Sequence, residues 1–209
     1  MDHAQRVASG EIAKLNGANI QILDSVDKKL STEFETFLNA SARAIKTGVQ
    51  GLGSQLGVDI GFLFKKEAAF KSGIERLRKV DPELADYLEE CRSWTERLLL
   101  MRNDLEHEFW NLPRATYAIQ NGAVAANEPK IEGEPVSQVA KFLFDRLSCF
   151  FEEMIAHMLQ WKLPEGMTLT QLPRTNRTPE APERFRITLA TGGEAPWKIK
   201  YHTDKFDDV

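Results

Sequence analysis

The sequence predicts a mainly α-helical protein with small β-hairpin additions. Apolar residues recur at steps of three and four through four long stretches, which is the period of a helix buried along one face. Asp81-Pro82-Glu83 is a helix-start signal, with a capping side chain followed by proline at the first helical position. Strand-like alternation is confined to two short places, one of them around Asn121-Gly122.

In chain order, residues 1 to about 18 are read as a loose or short helical lead-in. From Ile20 the spacing of Leu23, Val26, Leu30, Phe34, Phe37, Leu38, Ile45 and Val49 predicts a long amphipathic helix. Gly48, Gly51, Gly53 and Gly57 are expected to end it, because glycine loses more backbone entropy in a helix than other residues. A second helix is predicted over 59–79, with Leu63, Phe64, Phe70, Ile74 and Leu77 inward. It carries the densest positive charge of the chain, including Lys65, Lys66, Lys71 and Arg76. Such charge is a solvated face in most helices, and a phosphate-facing one where it borders a binding site. The third helix is predicted over 81–110, its core stripe formed by Leu84, Leu88, Cys91, Trp94, Leu98, Met101 and Leu105. A hairpin insert follows at about 114–128. The fourth helix, 134–161, has an apolar arc widened by Phe142, Phe151, Ile155 and Leu159, which suggests burial on more than one side. Residues 163–183 hold four prolines and read as an extended linker. In the tail, 184–209, runs 185–189 and 197–201 flank Gly192-Gly193 and predict a second hairpin.

Composition bounds the function classes. The chain of 209 residues has room for one sizeable domain with appendages. A net charge of −4 argues against a whole-surface nucleic-acid binder and leaves a local basic cleft open. Cys91 and Cys149 are the two cysteines and both fall on apolar helix stripes, as small core residues of a reducing compartment do. No run is long and apolar enough for a membrane span and no secretory signal is visible, so a cytoplasmic location without membrane association is expected. No Cys, His and carboxylate set has metal-ligand spacing, no second histidine follows His107 at the metalloprotease interval, and no Gly-x-Ser-x-Gly elbow occurs. Neither a metal nor another cofactor is called for.

One six-residue stretch stands apart: Arg102-Asn103-Asp104-Leu105-Glu106-His107, late in the third helix. At about 100° per residue, Asn103 and His107 point away from the core stripe and Arg102 sits on its flank. Leu99, Leu100 and Trp110 surround the same far side. A face apolar at its edges with Arg, Asn and His between them suggests a second surface, buried against another subunit or a ligand. A plainer reading pairs Arg102 with Glu106 and leaves His107 on the surface.

The stretch resembles the signature of the HEPN superfamily (higher eukaryotes and prokaryotes nucleotide-binding domains), an arginine followed by a polar residue and, after four to six positions, a histidine. Arg102, Asn103 and His107 fill these places, with four residues between arginine and histidine. The resemblance covers roughly residues 20–162 and implies an antiparallel up-and-down bundle of four to five helices. It implies a homodimer formed through the motif helices, with Leu99, Leu100 and Trp110 in the interface. Many members are metal-independent endoribonucleases, often toxins or defence effectors with an antitoxin or nucleotidyltransferase partner; others are silent binding modules. On this reading residues 1–162 are the helical domain. Arg102, Asn103 and His107 are catalytic, RNA is the substrate, and Lys65, Lys66, Lys71 and Arg76 contact it. A histidine moves protons near neutral pH and an arginine stabilises charge on phosphorus. One histidine per chain serves poorly as both acid and base, and a two-fold dimer supplies two.

Overall fold

The structure is a computed structural model, and it describes residues 3–24, 26–61, 63–107, 110–178, 183–190 and 197–201. It is mainly α-helical with small antiparallel hairpins: six helices and four two-stranded sheets among the described residues. The chain divides into two compact units, Met1–Ala40 with Leu99–Phe142, and Ser41–Leu98 with Leu143–Val209.

The first unit opens with α1 (His3–Ala8) and a hairpin of β1 (Ala13–Asn16) and β2 (Asn19–Ile22). The predicted helix therefore starts later than Ile20. Ile20 belongs to a strand because Gly17, at φ 65°, makes the two-residue turn that a tight hairpin needs. The helix α2 begins at Val26 and runs to Gln55, passing from this unit into the second. Its Phe34 and Leu38 are buried. The second hairpin, β3 (Thr116–Gln120) with β4 (Ala123–Asn127), turns on Asn121 and Gly122, both at positive φ. That backbone is the one that Asn-Gly supplies at least strain. The two hairpins pack on each other, β1 against β4 and β2 against β3, with α1 on β4. A short pair, β5 (Lys130–Ile131) and β6 (Glu134–Pro135), leads into a long helix that starts at Val136, whose Val136 and Val139 are buried.

The second unit holds the end of α2, then α3 (Glu67–Arg78), α4 (Pro82–Glu90) and the start of α5 (Arg92–Glu106), up to Leu98. The long helix, α6 (Val136–Lys162), contributes its part from Leu143 on. Phe150 is the hub of its core, with ring centroids at 5.7 Å from Trp94, 6.2 Å from Tyr87 and 6.3 Å from Phe64. Glycines 48, 51 and 53 do not end α2. A Cβ at Gly48 would lie 2.5 Å from the Phe151 ring, and one at Gly53 2.8 Å from the Val58 carbonyl. At those two positions glycine serves close packing, which outweighs its low helix propensity.

Four further expectations need correction. The helix expected over 59–79 is helical only from Glu67; Asp59 instead accepts the Gly61 N–H at 3.0 Å and shapes a turn. The third helix is two helices, interrupted at Cys91 and ending at Glu106. The 163–183 stretch is not merely a linker: β7 (Met167–Gln171) lies within it and pairs with β8 (Phe185–Leu189). The segment expected to pair with 185–189, residues 197–201, is not a strand, and Trp197 donates its N–H to Leu169 of β7 at 3.2 Å. Gly192 and Gly193 lie outside the described residues.

Candidate active site

The motif closes α5, within the first unit. Arg102 and Asn103 occupy its last turns, and His107 continues the hydrogen-bond ladder by one residue, donating its backbone N–H to the Asn103 carbonyl at 3.0 Å. Asn103 and His107 are exposed, as their place opposite the core stripe requires, while Arg102 is half-buried. Leu98 and Met101 face inward, and Leu100, on the motif side, is 55% exposed. Leu99 and Trp110 are half-buried.

The arginine is held on several sides. Its Nε donates to Asn39 Oδ1 at 3.0 Å, its Nη1 to Asn103 Oδ1 at 3.1 Å, and its Nη2 to Glu106 Oε1 at 2.9 Å. Nη1 also makes an ion pair with the second Glu106 oxygen. Glu106 therefore takes the end-on fork of the guanidinium with both carboxylate oxygens, a bidentate pairing. Asn39 comes from α2, next to buried Leu38, and fixes the other edge. Sequence reading did not find Asn39. Nothing local marks it, since its partner lies 63 positions away.

Lys65, Lys66, Lys71 and Arg76, expected to contact RNA, are exposed and belong to the second unit. Lys71 pairs with Glu67 at 2.7 Å and Arg76 donates to Ser72 Oγ at 3.0 Å. A cavity of about 440 Å³ in the same unit, lined by Gln50, Ser54, Asp59 and Ile60 among others, contains none of the motif residues.

The other chemistry-bearing groups have structural duties. His157 Nε2 meets Asp81 Oδ2 at 2.6 Å, both side chains buried, and Asp81 Oδ1 caps α4 by accepting the Leu84 N–H at 3.0 Å. Burial pushes the Asp81 carboxyl up, but its bonds to His157 and the Leu84 amide outweigh that and leave it below the usual carboxylate range. Arg184 pairs with buried Glu153 at 2.8 Å and with Glu152 at 3.0 Å. Burial raises the Cys91 thiol well above its ordinary range and the Cys149 thiol to about 11, so neither is a thiolate nucleophile near neutral pH. Among the described residues no group of three or more His, Cys, Asp or Glu side chains is placed to hold a metal ion, and no helix is long and apolar enough to cross a membrane.

Comparison with known proteins gives no match to a family model, to a curated protein or to a solved structure.

Proposed function

We propose that the protein is a metal-independent endoribonuclease of the HEPN type, acting as a two-fold dimer of four- to five-helix up-and-down bundles. One observation carries the reading: Arg102, Asn103 and His107 end a single helix beside exposed Leu100, with the arginine aimed by a second helix through Asn39. In the reaction the ribose 2′-oxygen attacks the adjacent phosphorus, the 2′-O–P bond forms and the P–O5′ bond breaks. A neutral His107 takes the 2′-hydroxyl proton, and the protonated His107 of the second copy gives one to the leaving 5′-oxygen. Arg102 stabilises the charge that builds on the phosphoryl oxygens, and Asn103 orients it. Lys65, Lys66, Lys71 and Arg76 serve as RNA contacts, and an antitoxin or nucleotidyltransferase partner in the cytoplasm fits a toxin or defence role.

The test is expression of wild type and His107→Ala, comparing cell growth and RNA integrity. Toxicity and cleaved RNA with wild type alone, resistant to chelator and leaving 2′,3′-cyclic phosphate ends, is the expected result. A second reading, a catalytically silent module that binds a nucleotide or a protein, is favoured by the Arg102–Glu106 pair, which neutralises the arginine within the chain. Intact RNA alongside retained nucleotide binding would select it.

A further inference from the structure

We propose that Arg102 is an anion site that the protein fills with its own carboxylate, Glu106, and that Asn39 is the positioning residue that keeps the guanidinium aimed once the carboxylate leaves. This deepens the ribonuclease reading and takes its substrate class, the phosphate of a nucleic-acid strand, from it. The self-occupation and the role of Asn39 come from geometry alone.

A guanidinium presents a planar fork, and a carboxylate and a phosphate each offer it two oxygens in the same manner. In this chain the end-on fork is taken by both oxygens of Glu106. An incoming phosphate therefore competes with Glu106 for the same N–H groups. The competition is winnable, because the pair is a single helical turn apart with Glu106 46% exposed, and exposed pairs of this kind hold weakly. A fully buried carboxylate would not yield in this way.

Asn39 acts on a different edge. It accepts from Nε, which Glu106 does not touch, so the guanidinium plane stays anchored to α2 when Glu106 turns away. The acceptor is also neutral. An amide at position 39 fixes direction without a second negative charge to repel the phosphate, which an aspartate there would add. Glu106 sets occupancy, and Asn39 sets orientation from α2, alongside Asn103, which accepts from Nη1 within α5.

The experiment measures binding without cleavage. A short fluorescent single-stranded DNA lacks the 2′-hydroxyl and is titrated into the full chain across a range of salt concentrations, with anisotropy as the readout. E106Q should bind about three- to ten-fold more tightly than wild type and with a steeper salt dependence, since one more phosphate contact releases counterions. The gain must need Arg102, so R102A/E106Q should bind no better than R102A. Adding N39A to E106Q should return about three-fold or more of the gain, with no such loss when N39A is added to R102A/E106Q. D104N removes an equal charge two residues away, and an equal gain there would reduce the effect to net charge and overturn the proposal. An unchanged E106Q, or no binding by either wild type or E106Q, overturns it as well. Thermal midpoints of all variants separate loss of fold from loss of the site. RNA cleavage is scored separately: a binding pattern as expected with no cleavage by any variant defeats the ribonuclease reading alone. Cleavage with an unresponsive E106Q defeats this inference alone.

Discussion

Arg102 makes hydrogen bonds to two helices while its side chain keeps 30% of its surface in water, so it is neither a core residue nor a free surface one. Its removal should cost about 1 kcal/mol, the net worth of a partly exposed set of bonds. His107 is exposed, and His107→Ala should move stability by about 0.5 kcal/mol or less. If the two residues carry charge stabilisation and proton transfer, each alanine variant should lower cleavage of single-stranded RNA by about 10²-fold or more. Asn103→Ala should do less, since an orienting amide only biases geometry. Cleavage rates and thermal midpoints measured together separate chemistry from folding, and unchanged rates would leave the silent-module reading. The motif was legible because its three residues sit within one short stretch of helix. Asn39 was not, because its tie to Arg102 exists only once α2 and α5 are brought together.

At the scale of the element, α2 supplies two glycines with opposite expected behaviour. A Cβ at Gly48 meets the Phe151 ring at 2.5 Å, whereas one at Gly51 meets nothing within 4 Å. Gly51→Ala should therefore stabilise by about 0.5–1 kcal/mol through helix propensity. Gly48→Ala gains the same propensity but overpacks, at a cost of about 1–3 kcal/mol, and should come out destabilised. Denaturant midpoints of the two variants, moving in opposite directions, are the check. The cap of α4 gives a pH prediction. Asp81 titrates below its unfolded value, so its contribution is complete above the ordinary carboxylate range, about pH 4, and is lost as pH falls through the lower folded value. Asp81→Asn should flatten the acid limb of the stability–pH curve and cost about 2–3 kcal/mol near neutral pH, because the buried carboxylate bonded to His157 Nε2 and to the Leu84 N–H is replaced by a neutral amide. An acid limb identical to wild type would mean other carboxylates govern it. The helix start at Asp81-Pro82 and the Asn121-Gly122 hairpin were readable because short-range rules decide both. Strand β7 was hidden by Pro164 and Pro173, which flank it without interrupting it. Gly48 was misread because its reason is a ring on another helix.

On the scale of the whole molecule, each compact unit is assembled from two separated stretches of chain, and α2, α5 and α6 all run from one into the other. A chain ended at Lys162 would therefore cut into the second unit instead of trimming a tail. It would remove β7, β8 and Arg184, and take from buried Glu153 one charge-assisted hydrogen bond, a loss of about 1.5–3 kcal/mol. Such a truncation should be poorly soluble or unfolded by circular dichroism, and a stably folded one would show the C-terminal segment to be dispensable. Assembly is the other property of this scale. With Leu100 55% exposed beside Asn103 and His107, Leu100→Glu should shift the mass in solution from dimer toward monomer and lower cleavage in parallel. A monomeric wild type by sedimentation would remove the shared cleft from the mechanism.

The two buried thiols make the protein its own blank for chemical labelling. Cys91 and Cys149 are the chain's only cysteines, both are enclosed, and both resist deprotonation near neutral pH. A maleimide dye should pass the native fold by and react as the fold opens, which turns labelling into a clock for unfolding. A single cysteine introduced as L100C would be the one fast-reacting thiol in the chain. It could carry a spin label or fluorophore, and report whether two copies associate without any native cysteine having to be replaced.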